Sequence, residues 1–321
     1  MRTNECAPGA RILALGGYQP ARVVTNHDLA QTVNTDDEWI RSRVGIASRR
    51  IAAPEETVAD MAAAAGAKAL AGSGLTPADI DLVVVATSTT ETAIPNVAAT
   101  VAARLGIPAP GAFDINAACA GFAYALGAAS DAVRAGTSRH VLVIGAEKYS
   151  QWIDWTDRTT CVIFADGAGA AVVGPTAAGA APGIGPVIWG SNGALADKIR
   201  IDDRRSFYTQ DGQAVFRWAT TALPPVARKA CEAAGVAPTE LAAFVPHQAN
   251  LRIIESVARQ IGAPQAKVAT DIVHSGNTSA ASIPLALAAL TSHGEIPSGA
   301  LVLLLGFGAG LCYAAQVVTT P

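Results

Sequence analysis

The sequence predicts an α/β protein made of two homologous halves that stack into a layered αβαβα body. Short β-branched runs alternate with Ala-rich segments of helical character along the chain, which favours mostly parallel sheets covered by helices. Half of the residues are hydrophobic and only 15% are charged, so most elements are expected to be buried on more than one face. The third observation is a repeat, because landmarks of the first half recur in the same order in the second half.

The first helices follow polar capping residues. Thr25 or the residue after it can cap a short helix. Thr35 and Glu38 can form a capping box, in which each side chain satisfies a free backbone N–H of the other. The helix that follows this box places Trp39 and Arg43 four residues apart, and therefore on one face.

The next elements alternate between helix and strand. Residues 57–71 form an Ala-rich helix, and Pro77 suits the first position of a further helical turn. Residues 81–87 are β-branched and predict a buried strand. Residues 95–105 then predict a helix, and residues 141–145 predict another strand.

The remaining strands are marked by glycines. Residues 161–164 resemble a strand that enters a tight glycine turn at 166–170. The uncharged C-terminal stretch, residues 299–321, is long enough to raise the question of a membrane span. Three glycines divide it, so two buried strands at 301–305 and 311–318 are expected instead.

Cys119 stands where a strand gives way to a helix. Residues 111–113 have the pattern of a short buried strand, and apolar residues recur at helical spacing after the cysteine: Phe122, Leu126, Ala129 and Val133. A helix N-terminus carries about half a positive charge and unpaired N–H groups, which favour a thiolate over a thiol. The sequence therefore predicts that Cys119 is a nucleophile held at the start of a helix.

The repeat relates four pairs of segments in the same order: residues 68–77 with 229–238, 81–87 with 242–247, 114–119 with 271–276, and 141–145 with 302–306. The join falls in the Ala/Gly/Pro-rich stretch 175–185, which gives an N-terminal half, residues 1–178, and a C-terminal half, residues 179–321. Sites in such sheets gather at the carboxyl ends of strands. The repeat is therefore expected to bring Cys119 near Asn277, its positional counterpart.

Three polar side chains, Cys119, His247 and Asn277, each follow a predicted strand and precede a helix. His247 begins an amphipathic helix over residues 248–261, and glycines at 306–310 allow a backbone to approach a ligand closely. A thiol, an imidazole, an amide and free backbone N–H groups suffice for acyl transfer. The thiolate attacks a thioester, N–H groups hold the oxyanion, and the other two side chains stabilise charge on a second substrate.

Each of these residues also has a plain structural interpretation. A cysteine among Ala and Gly is often packed core, and a lone histidine is more often structural than catalytic. Asn277 after Gly276 could simply be an N-cap. His274 also lies close to Asn277, but its counterpart in the repeat is the unremarkable Ala117.

The composition restricts the function classes. A net charge of −3 gives no general affinity for nucleic acid. Five cysteines, at positions 6, 119, 161, 231 and 312, show neither a CxxC pair nor metal-ligand spacing, which indicates a reducing compartment. The apolar run at 12–15 is too short for a signal peptide. We expect a soluble cytoplasmic protein that binds no metal, nucleic acid or membrane.

Three motifs surround the candidate residues: Ala117-Ala118-Cys119-Ala120-Gly121-Phe122, Val245-Pro246-His247-Gln248-Ala249-Asn250 and Gly276-Asn277-Thr278-Ser279-Ala280-Ala281-Ser282. In this order and at these separations they resemble the active-site motifs of β-ketoacyl-acyl carrier protein synthase III. That family has the thiolase fold and initiates fatty acid synthesis. The resemblance covers nearly the whole chain, from the Asp37-Glu38-Trp39 region to residues 306–310.

The resemblance implies a reaction in two stages. Cys119 would take the acyl group from an acyl-CoA, which is a substrate, so no cofactor is expected. His247 and Asn277 would assist decarboxylation of malonyl-acyl carrier protein and stabilise the enolate, which attacks the acyl-cysteine in a Claisen condensation. The backbone N–H groups of Cys119 and Ala309 would form the oxyanion hole, although many relatives have glycine at the latter position.

The resemblance also implies two binding sets. The residues that match a grip on the CoA nucleotide are Trp39, Arg43 and Arg158. Indole stacking and guanidinium–phosphate pairing suit that task. The residues that match a basic patch for docking the acidic carrier protein are Arg217, Arg252 and Arg259.

Two departures from the family pattern concern the acyl pocket. The segment 189–208 is shorter than expected and lies near the pocket rim. Ile94 takes a place where some relatives carry Phe, and its smaller side chain would admit longer or branched acyl groups. In the family this residue comes from the neighbouring subunit, which implies a symmetric homodimer.

Three alternatives to fatty acid initiation have to be compared with it. An enzyme that primes a polyketide pathway shares these motifs, so the sequence does not separate the two. A thiolase proper uses a second cysteine near the last glycine turn, where this chain has Gly306. A non-catalytic acyl-binding member is a further alternative, because folds can lose activity, but the intact set of Cys119, His247 and Asn277 argues against it.

Overall fold

The computed structural model describes residues 7–203 and 205–321, so Cys6 lies outside the described residues. The strands in chain order are β1 (Ala10–Tyr18), β2 (Arg22–Thr25), β3 (Ser48–Ile51), β4 (Leu82–Ala86), β5 (Gly111–Ile115), β6 (Val141–Lys148), β7 (Asp166–Pro175), β8 (Ile188–Gly190), β9 (Ile199–Arg200), β10 (Thr209–Gln210), β11 (Ala243–Pro246), β12 (Lys267–Val268), β13 (Leu301–Phe307) and β14 (Tyr313–Thr319). The helices in chain order are α1 (Asn26–Ala30), α2 (Asp37–Val44), α3 (Val58–Ser73), α4 (Val97–Arg104), α5 (Gly121–Arg134), α6 (Gly212–Ala234), α7 (Leu251–Ala258), α8 (Ile272–Ser275) and α9 (Ser282–Ser292).

Two five-stranded sheets have the same strand order, as the repeat predicts. The first is β1-β7-β6-β4-β5, and the second is β8-β14-β13-β11-β12. In each sheet the second strand runs antiparallel to both neighbours, whereas the last three strands pair in parallel. Four of the five strands in each sheet therefore point the same way, which confirms the prediction of mostly parallel sheets.

The helices form three layers around the two sheets. Helices α3 and α4 cover the outer face of the first sheet, and α6 and α7 cover the outer face of the second. Helices α5 and α9 lie between the sheets and contact both. This is the predicted αβαβα order. The boundary between the two halves near residue 178 stays a prediction.

Apolar burial explains the middle layer. The buried core between the sheets joins Phe122 and Leu126 of α5, Ile283 and Leu287 of α9, and inward-facing strand residues such as Val84. Burying a side chain of this size stabilises the fold by about 1.5–3 kcal/mol. The two helices that follow Cys119 and Asn277 are thus packed into the core between the sheets.

The helix caps agree with the sequence in two places and differ in one. Thr25 and Thr57 cap α1 and α3 with complete capping boxes. At α2 the cap is Asp36, whose carboxylate accepts the N–H of Trp39, and the hydroxyl of Thr35 is buried without a partner. The prediction of Thr35 as the cap was wrong because the aspartate one residue later is the better acceptor.

The glycines at 166–170 do not form a turn. They lie inside β7. Residues 161–163 form turns, and Phe164 forms a single β-bridge with Asn277, so the predicted strand at 161–164 is wrong. A Cβ on Gly169 would come within 2.7–2.8 Å of Pro284 and Leu285 of α9. Glycine in this strand therefore allows close helix packing, and it was misread as a turn signal.

The uncharged C-terminal stretch forms two strands, as predicted. Strands β13 and β14 are antiparallel neighbours in the second sheet. Among the helices of residues 7–203 and 205–321, none has the length and apolar character needed to span a membrane.

Candidate active site

Cys119 lies between the end of β5 and the start of α5, as predicted. It is the middle residue of a 3₁₀ turn, Ala118–Ala120, and Ala118 has the left-handed φ of 46°. A Cβ on Gly308 would lie 2.8 Å from the backbone N of Cys119 and 2.9 Å from its Cβ. The loop after β13 therefore passes directly beside the cysteine and needs glycine there.

The second half repeats this turn with a different residue at the equivalent place. A 3₁₀ turn, Ser279–Ala281, precedes α9, and Ser279 has the left-handed φ of 49°. The offset that relates Gly74 to Gly235 at the helix ends also relates Ala118 to Ser279. The structural counterpart of Cys119 is therefore Ala280. The predicted equivalence of Cys119 and Asn277 was wrong, because the connection between strand and helix is longer in the second half.

His247 is buried, and hydrogen bonds fix its backbone and the Nδ1 side of its ring. Its backbone N donates to Leu305, and its Nδ1 lies 2.7 Å from the hydroxyl of Ser282. That hydroxyl also accepts the N–H of Gln248 at 3.2 Å, and among the described residues Nδ1 is the one acceptor within reach of its own proton. Because a buried hydroxyl proton needs an acceptor, we assign it to the bond with Nδ1. Burial lowers the pKa of His247 to about 3. The imidazole is consequently neutral, and Nε2 carries its proton.

Asn277 is also fixed in one orientation. Its backbone pairs with Ile163 and Ala165 in a short bridge, and its side-chain Oδ1 accepts the N–H of Ser279 at 2.8 Å. The amide oxygen is thus occupied, which leaves the Nδ2 hydrogens of Asn277 as donors.

The three candidate residues converge on one cavity. Cys119, His247 and Asn277 line a space of about 100 Å³, together with Phe307 and Gly308. We call this space the site cavity. The Phe307 ring packs edge-on against His247, with ring centres 5.1 Å apart. His274, although close to Asn277 in sequence, does not line the site cavity.

The structure favours the protonated thiol of Cys119, whereas the sequence predicted a thiolate. Burial raises its pKa to about 12, although a hydrogen bond from Ser279 acts in the opposite direction. The predicted preference for a thiolate is therefore wrong for the resting site, because loss of water outweighs the charge of a helix N-terminus. Deprotonation of Cys119 requires an acceptor.

The predicted oxyanion donors lie on two segments that touch each other. Ala309 follows Gly308, and it begins the 3₁₀ turn Ala309–Leu311. Gly308 packs against the backbone of Cys119. The N–H groups of Cys119 and Ala309 therefore belong to two neighbouring backbone segments at the site cavity. Their role in holding an oxyanion stays a prediction.

The three residues of the predicted nucleotide grip form one cluster. The guanidinium of Arg158 lies 4.9 Å from the ring centre of Trp39, and that of Arg43 lies 5.9 Å from it. Arg158 also donates to the backbone oxygen of Asn34 at 3.0 Å. Both arginines are exposed, so this surface presents an indole flanked by two cations.

The predicted carrier-protein residues are brought together only in part. Arg217 and Arg252 line one open cavity of about 480 Å³ with Arg43, and we call these three residues the basic patch. Arg252 also packs over Phe216 at 5.4 Å. Arg259 ends α7 about 10 Å further along the helix and faces Glu255 at 4.0 Å. Arg259 is therefore separate from the patch.

Ile94 is not part of the site cavity of its own chain. Its side chain is 85% exposed, and it precedes Pro95 through a cis peptide bond. Phe113 on β5, the edge strand of the first sheet, is 42% exposed.

Sequence reasoning missed four supporting residues. Ser282 orients His247, Ser279 contacts Cys119, and Glu147 contacts Ser279. Arg49 is fully buried and donates to the backbone oxygen of Val162, beside the segment that pairs with Asn277. The available signals were Glu147, a charged residue near the end of the otherwise apolar β6, and the two serines of the third motif. No local pattern pointed to Arg49, which lies in the polar strand β3. Among the described residues, no group of three or more His, Cys, Asp or Glu side chains is placed to hold a metal ion.

Comparisons with known proteins agree with one family. Residues 113–193 match the family described as 3-oxoacyl-[acyl-carrier-protein] synthase III, and residues 231–320 match its C-terminal region. A β-ketoacyl-[acyl-carrier-protein] synthase III of Streptomyces coelicolor is 60% identical over 98% of this chain and 99% of its own length.

Solved structures give the same result. The priming β-ketosynthase of the R1128 polyketide pathway has a TM-score of 0.96 at 44% identity, covering 100% of this chain and 98% of its own. The 3-oxoacyl-[acyl-carrier-protein] synthase III of Aquifex aeolicus has a TM-score of 0.92 at 41% identity, covering 98% and 100% respectively.

Proposed function

The chain belongs to the β-ketoacyl-acyl carrier protein synthase III family of thiolase-fold acyltransferases, and from this premise we propose how its residues carry out the reaction. Enzymes of this family condense an acyl-CoA starter with malonyl-acyl carrier protein and thereby initiate fatty acid synthesis. We assign the nucleophile to Cys119 and the stabilisation of the malonyl enolate to His247 and Asn277.

In the first stage the sulfur of Cys119 attacks the thioester carbonyl of the acyl-CoA. The N–H groups of Cys119 and Ala309 hold the oxygen on which negative charge develops, and CoA leaves. Gly308 supports this assignment because it lets both backbone segments reach the same small space.

In the second stage the malonyl thioester loses carbon dioxide. His247 offers the hydrogen on Nε2, and Asn277 offers those on Nδ2, because their other polar atoms are occupied by Ser282 and Ser279. Two neutral donors fixed in this way stabilise an enolate oxygen without being able to protonate its carbon. The enolate carbon then attacks the acyl-cysteine, and Cys119 is released.

The two binding surfaces account for the two substrates. The Trp39 cluster with Arg43 and Arg158 would hold the CoA nucleotide by stacking and by phosphate pairing. The basic patch would dock the acidic carrier protein, with Arg259 as an outlying contact. No cofactor is assigned, since acyl-CoA is consumed as a substrate.

We propose that the active form is a symmetric dimer. Support comes from the exposed apolar residues Ile94 and Phe113 and from the position of β5 at the edge of its sheet. An exposed strand edge with apolar side chains favours pairing with a second copy. Ile94 would then enter the acyl pocket of the partner.

The observation that carries the proposed function is the convergence of Cys119, His247 and Asn277 on the site cavity. Incubation with radiolabelled acetyl-, isobutyryl- or hexanoyl-CoA, followed by peptide mapping, tests it. We expect label on the Cys119 peptide and none in Cys119→Ser, because an ordinary hydroxyl lacks the reactivity of a thiolate. Absence of label with every acyl-CoA would favour a non-catalytic acyl-binding protein.

The priming of a polyketide pathway is a second candidate, because the R1128 priming enzyme has a closely similar structure. The two functions differ in the carrier protein that accepts the product. Condensation rates with a fatty acid carrier protein and with a polyketide carrier protein, compared at equal concentration, decide between them.

A further inference from the structure

The sulfur of Cys119 is joined to a buried carboxyl group through one hydroxyl. The hydroxyl oxygen of Ser279 lies 3.2 Å from Sγ of Cys119 and 3.0 Å from Oε1 of Glu147. Ser279 and Glu147 are both fully buried. Ser279 has a single O–H, so it can donate to only one of these neighbours while it accepts from the other.

The hydrogen bonds around Glu147 restrict where its carboxyl group can take up a proton. Its Oε2 accepts from Ser88 N at 3.1 Å, from Thr89 Oγ1 at 2.5 Å and from Thr87 Oγ1 at 3.3 Å. Thr89 Oγ1 itself accepts the N–H of Lys148, and Thr87 Oγ1 accepts the N–H of Thr89, so both hydroxyl protons are directed to Oε2. Oε1 accepts from Ser88 Oγ at 2.9 Å and from Ser279 Oγ at 3.0 Å, and of these two hydroxyls only that of Ser279 also contacts Cys119.

The thiol needs such an acceptor because the imidazole does not serve as one. Ser282 donates to Nδ1 of His247, and Nε2 already carries a proton. Burial raises the pKa of Cys119, and burial also raises the pKa of Glu147 above that of an ordinary carboxyl group. Burial therefore makes the carboxylate of Glu147 a better proton acceptor than a carboxylate in water.

We infer that Ser279 and Glu147 form a proton relay that takes the thiol proton of Cys119 during acyl loading and returns it after condensation. This inference rests on the proposed function of Cys119 as the nucleophile. Ser279 contacts the reacting sulfur directly, and Glu147 is a positioning and proton-holding residue that acts through it.

The relay conserves protons and electrons at each stage. During loading, the S–H proton moves to Oγ of Ser279 while the Ser279 proton moves to Oε1 of Glu147. The C–S bond to Cys119 forms, and CoA leaves with the electron pair of the broken thioester bond and takes a proton from water. During condensation, the bond from the acyl carbon to Sγ breaks, its electron pair stays on sulfur, and the proton held by Glu147 returns through Ser279.

Besides His247, the titratable groups that the described residues place near this pair are two tyrosines, a lysine and an aspartate. Tyr208 lines the site cavity, and burial raises its pKa well above 10, so it stays protonated. Tyr149 contacts Ser88 at 3.1 Å, and burial raises its pKa well above 10, so it stays protonated. Nζ of Lys148 points away, to the backbone oxygens of residues 53, 54 and 56. Asp166, beside Lys148 on the neighbouring strand, accepts from the N–H groups of Ala52 and Ser150.

Alkylation of Cys119 by iodoacetamide between pH 6 and 8 tests the relay without any acyl-CoA. Where one proton is shared by the pair, the thiolate fraction is independent of pH between the two titrations of the pair. We expect a nearly flat rate in the native protein. In Glu147→Gln and in Ser279→Ala we expect the rate to rise about tenfold per pH unit, as for an isolated thiol.

A carboxylate that lies beside the sulfur without taking its proton predicts a different alkylation rate for the variant. Glu147→Gln would then remove a repelling charge, and alkylation would become faster at every pH. That result, or an unchanged flat profile in Ser279→Ala, overturns the relay. Ser88→Ala is the matched control, since it also removes a hydroxyl from Oε1 at 2.9 Å but does not contact Cys119; its profile should stay flat.

Single-turnover kinetics supply a second readout. Loading of acyl-CoA at pH 7 should slow about 10²-fold in Ser279→Ala. Malonyl decarboxylation should persist, because Asn277 is held by the backbone N–H of Ser279, which the variant keeps. Ala118 adopts nearly the same left-handed φ as Ser279, so alanine can occupy position 279. Ser279→Ala therefore tests the relay even if Glu147→Gln fails to fold. Failure of acyl label to reach Cys119 would refute the proposed function, whereas the alkylation profile judges the relay alone.

Discussion

At the scale of single residues, the site is defined by which polar atoms are already occupied. Ser282 occupies one nitrogen of His247, and Ser279 occupies the oxygen of Asn277. These contacts turn an imidazole and an amide into two hydrogen-bond donors. The sequence identified both residues, but whether each one donates or accepts a hydrogen bond depends on neighbours that only the fold brings close.

Asn277→Ala should separate the two stages of the reaction. We expect acyl loading of Cys119 to be retained and malonyl decarboxylation to fall about 10²–10³-fold, because one donor to the enolate oxygen is lost. Loading measured by mass spectrometry and carbon dioxide release measured separately give the two rates. Unchanged decarboxylation would remove Asn277 from the mechanism.

Burial of neutral His247 should make stability depend on pH. Its pKa is about 3 in the folded protein against 6.5 ordinarily, so below pH 6.5 the unfolded chain binds a proton that the folded protein does not. The free energy of unfolding should therefore fall with decreasing pH, by up to about 1.4 kcal/mol per unit for this group. Urea unfolding at pH 7, 6 and 5 measures this slope, which should become shallower in His247→Gln.

At the scale of elements, glycines and buried polar residues set how closely segments approach. Gly169 in β7 and Gly145 in β6 lie where a Cβ would strike α9 or the turn before it. The apolar runs and caps predicted most of the helices and the strands β4, β5, β6, β11, β13 and β14. The strand at 166–175 was missed because its glycines serve packing, and no local pattern distinguishes that from a turn.

Arg49 shows how one buried cation supports the site from a distance. It donates to the backbone oxygens of Val24 and Val162 and to Asn26, and Val162 precedes the segment that pairs with Asn277. Arg49→Met leaves these acceptors unsatisfied and should lower the free energy of unfolding by about 3 kcal/mol.

Arg50→Met provides the comparison for this prediction, because Arg50 is only partly buried and makes two longer bonds, of 3.1 and 3.4 Å, to backbone oxygens. It should change the free energy of unfolding by less than about 1 kcal/mol. Equal losses in chemical denaturation would show that Arg49 has no special role.

At the scale of the whole molecule, the doubled topology delivers chemistry from both halves to one cavity. The repeat in the sequence predicted this meeting, and it predicted Cys119, His247 and Asn277 as the residues that meet. It could not predict the register of the turns, since the connection before α9 differs in length from that before α5. Desolvation of the thiol was equally hidden, because burial at a junction of two sheets is a property of the assembled fold.

Arg252, which unlike Arg43 belongs to the basic patch and not to the Trp39 cluster, should affect only one substrate. Arg252→Glu reverses a charge beside Arg217 and Arg43 and should raise the apparent KM for the acyl carrier protein about tenfold or more. Acyl-CoA loading should stay within about twofold, since Arg252 is not in the Trp39 cluster. Arg259→Glu should have a smaller effect, because Arg259 is separate from the patch; an equal loss in both half-reactions would argue against a docking role.

The dimer proposal depends on the edge strand β5. Phe113→Asp places a charge on the exposed apolar edge and should dissociate the dimer, because two like charges would meet across a two-fold axis. Sedimentation velocity of both forms measures this. A native protein that sediments as a monomer at micromolar concentration would contradict the proposal.

The matched left-handed turns at Ala118 and Ser279 carry a consequence for the origin of this architecture. An ancestor made of two identical half-length chains would have held two equal reaction centres related by a two-fold axis. In the fused chain one turn keeps the sulfur at Cys119, and its twin carries a methyl group at Ala280 with a hydroxyl one residue earlier. Of the two equivalent turns, one therefore supplies the candidate nucleophile, and the other supplies the hydroxyl that contacts it.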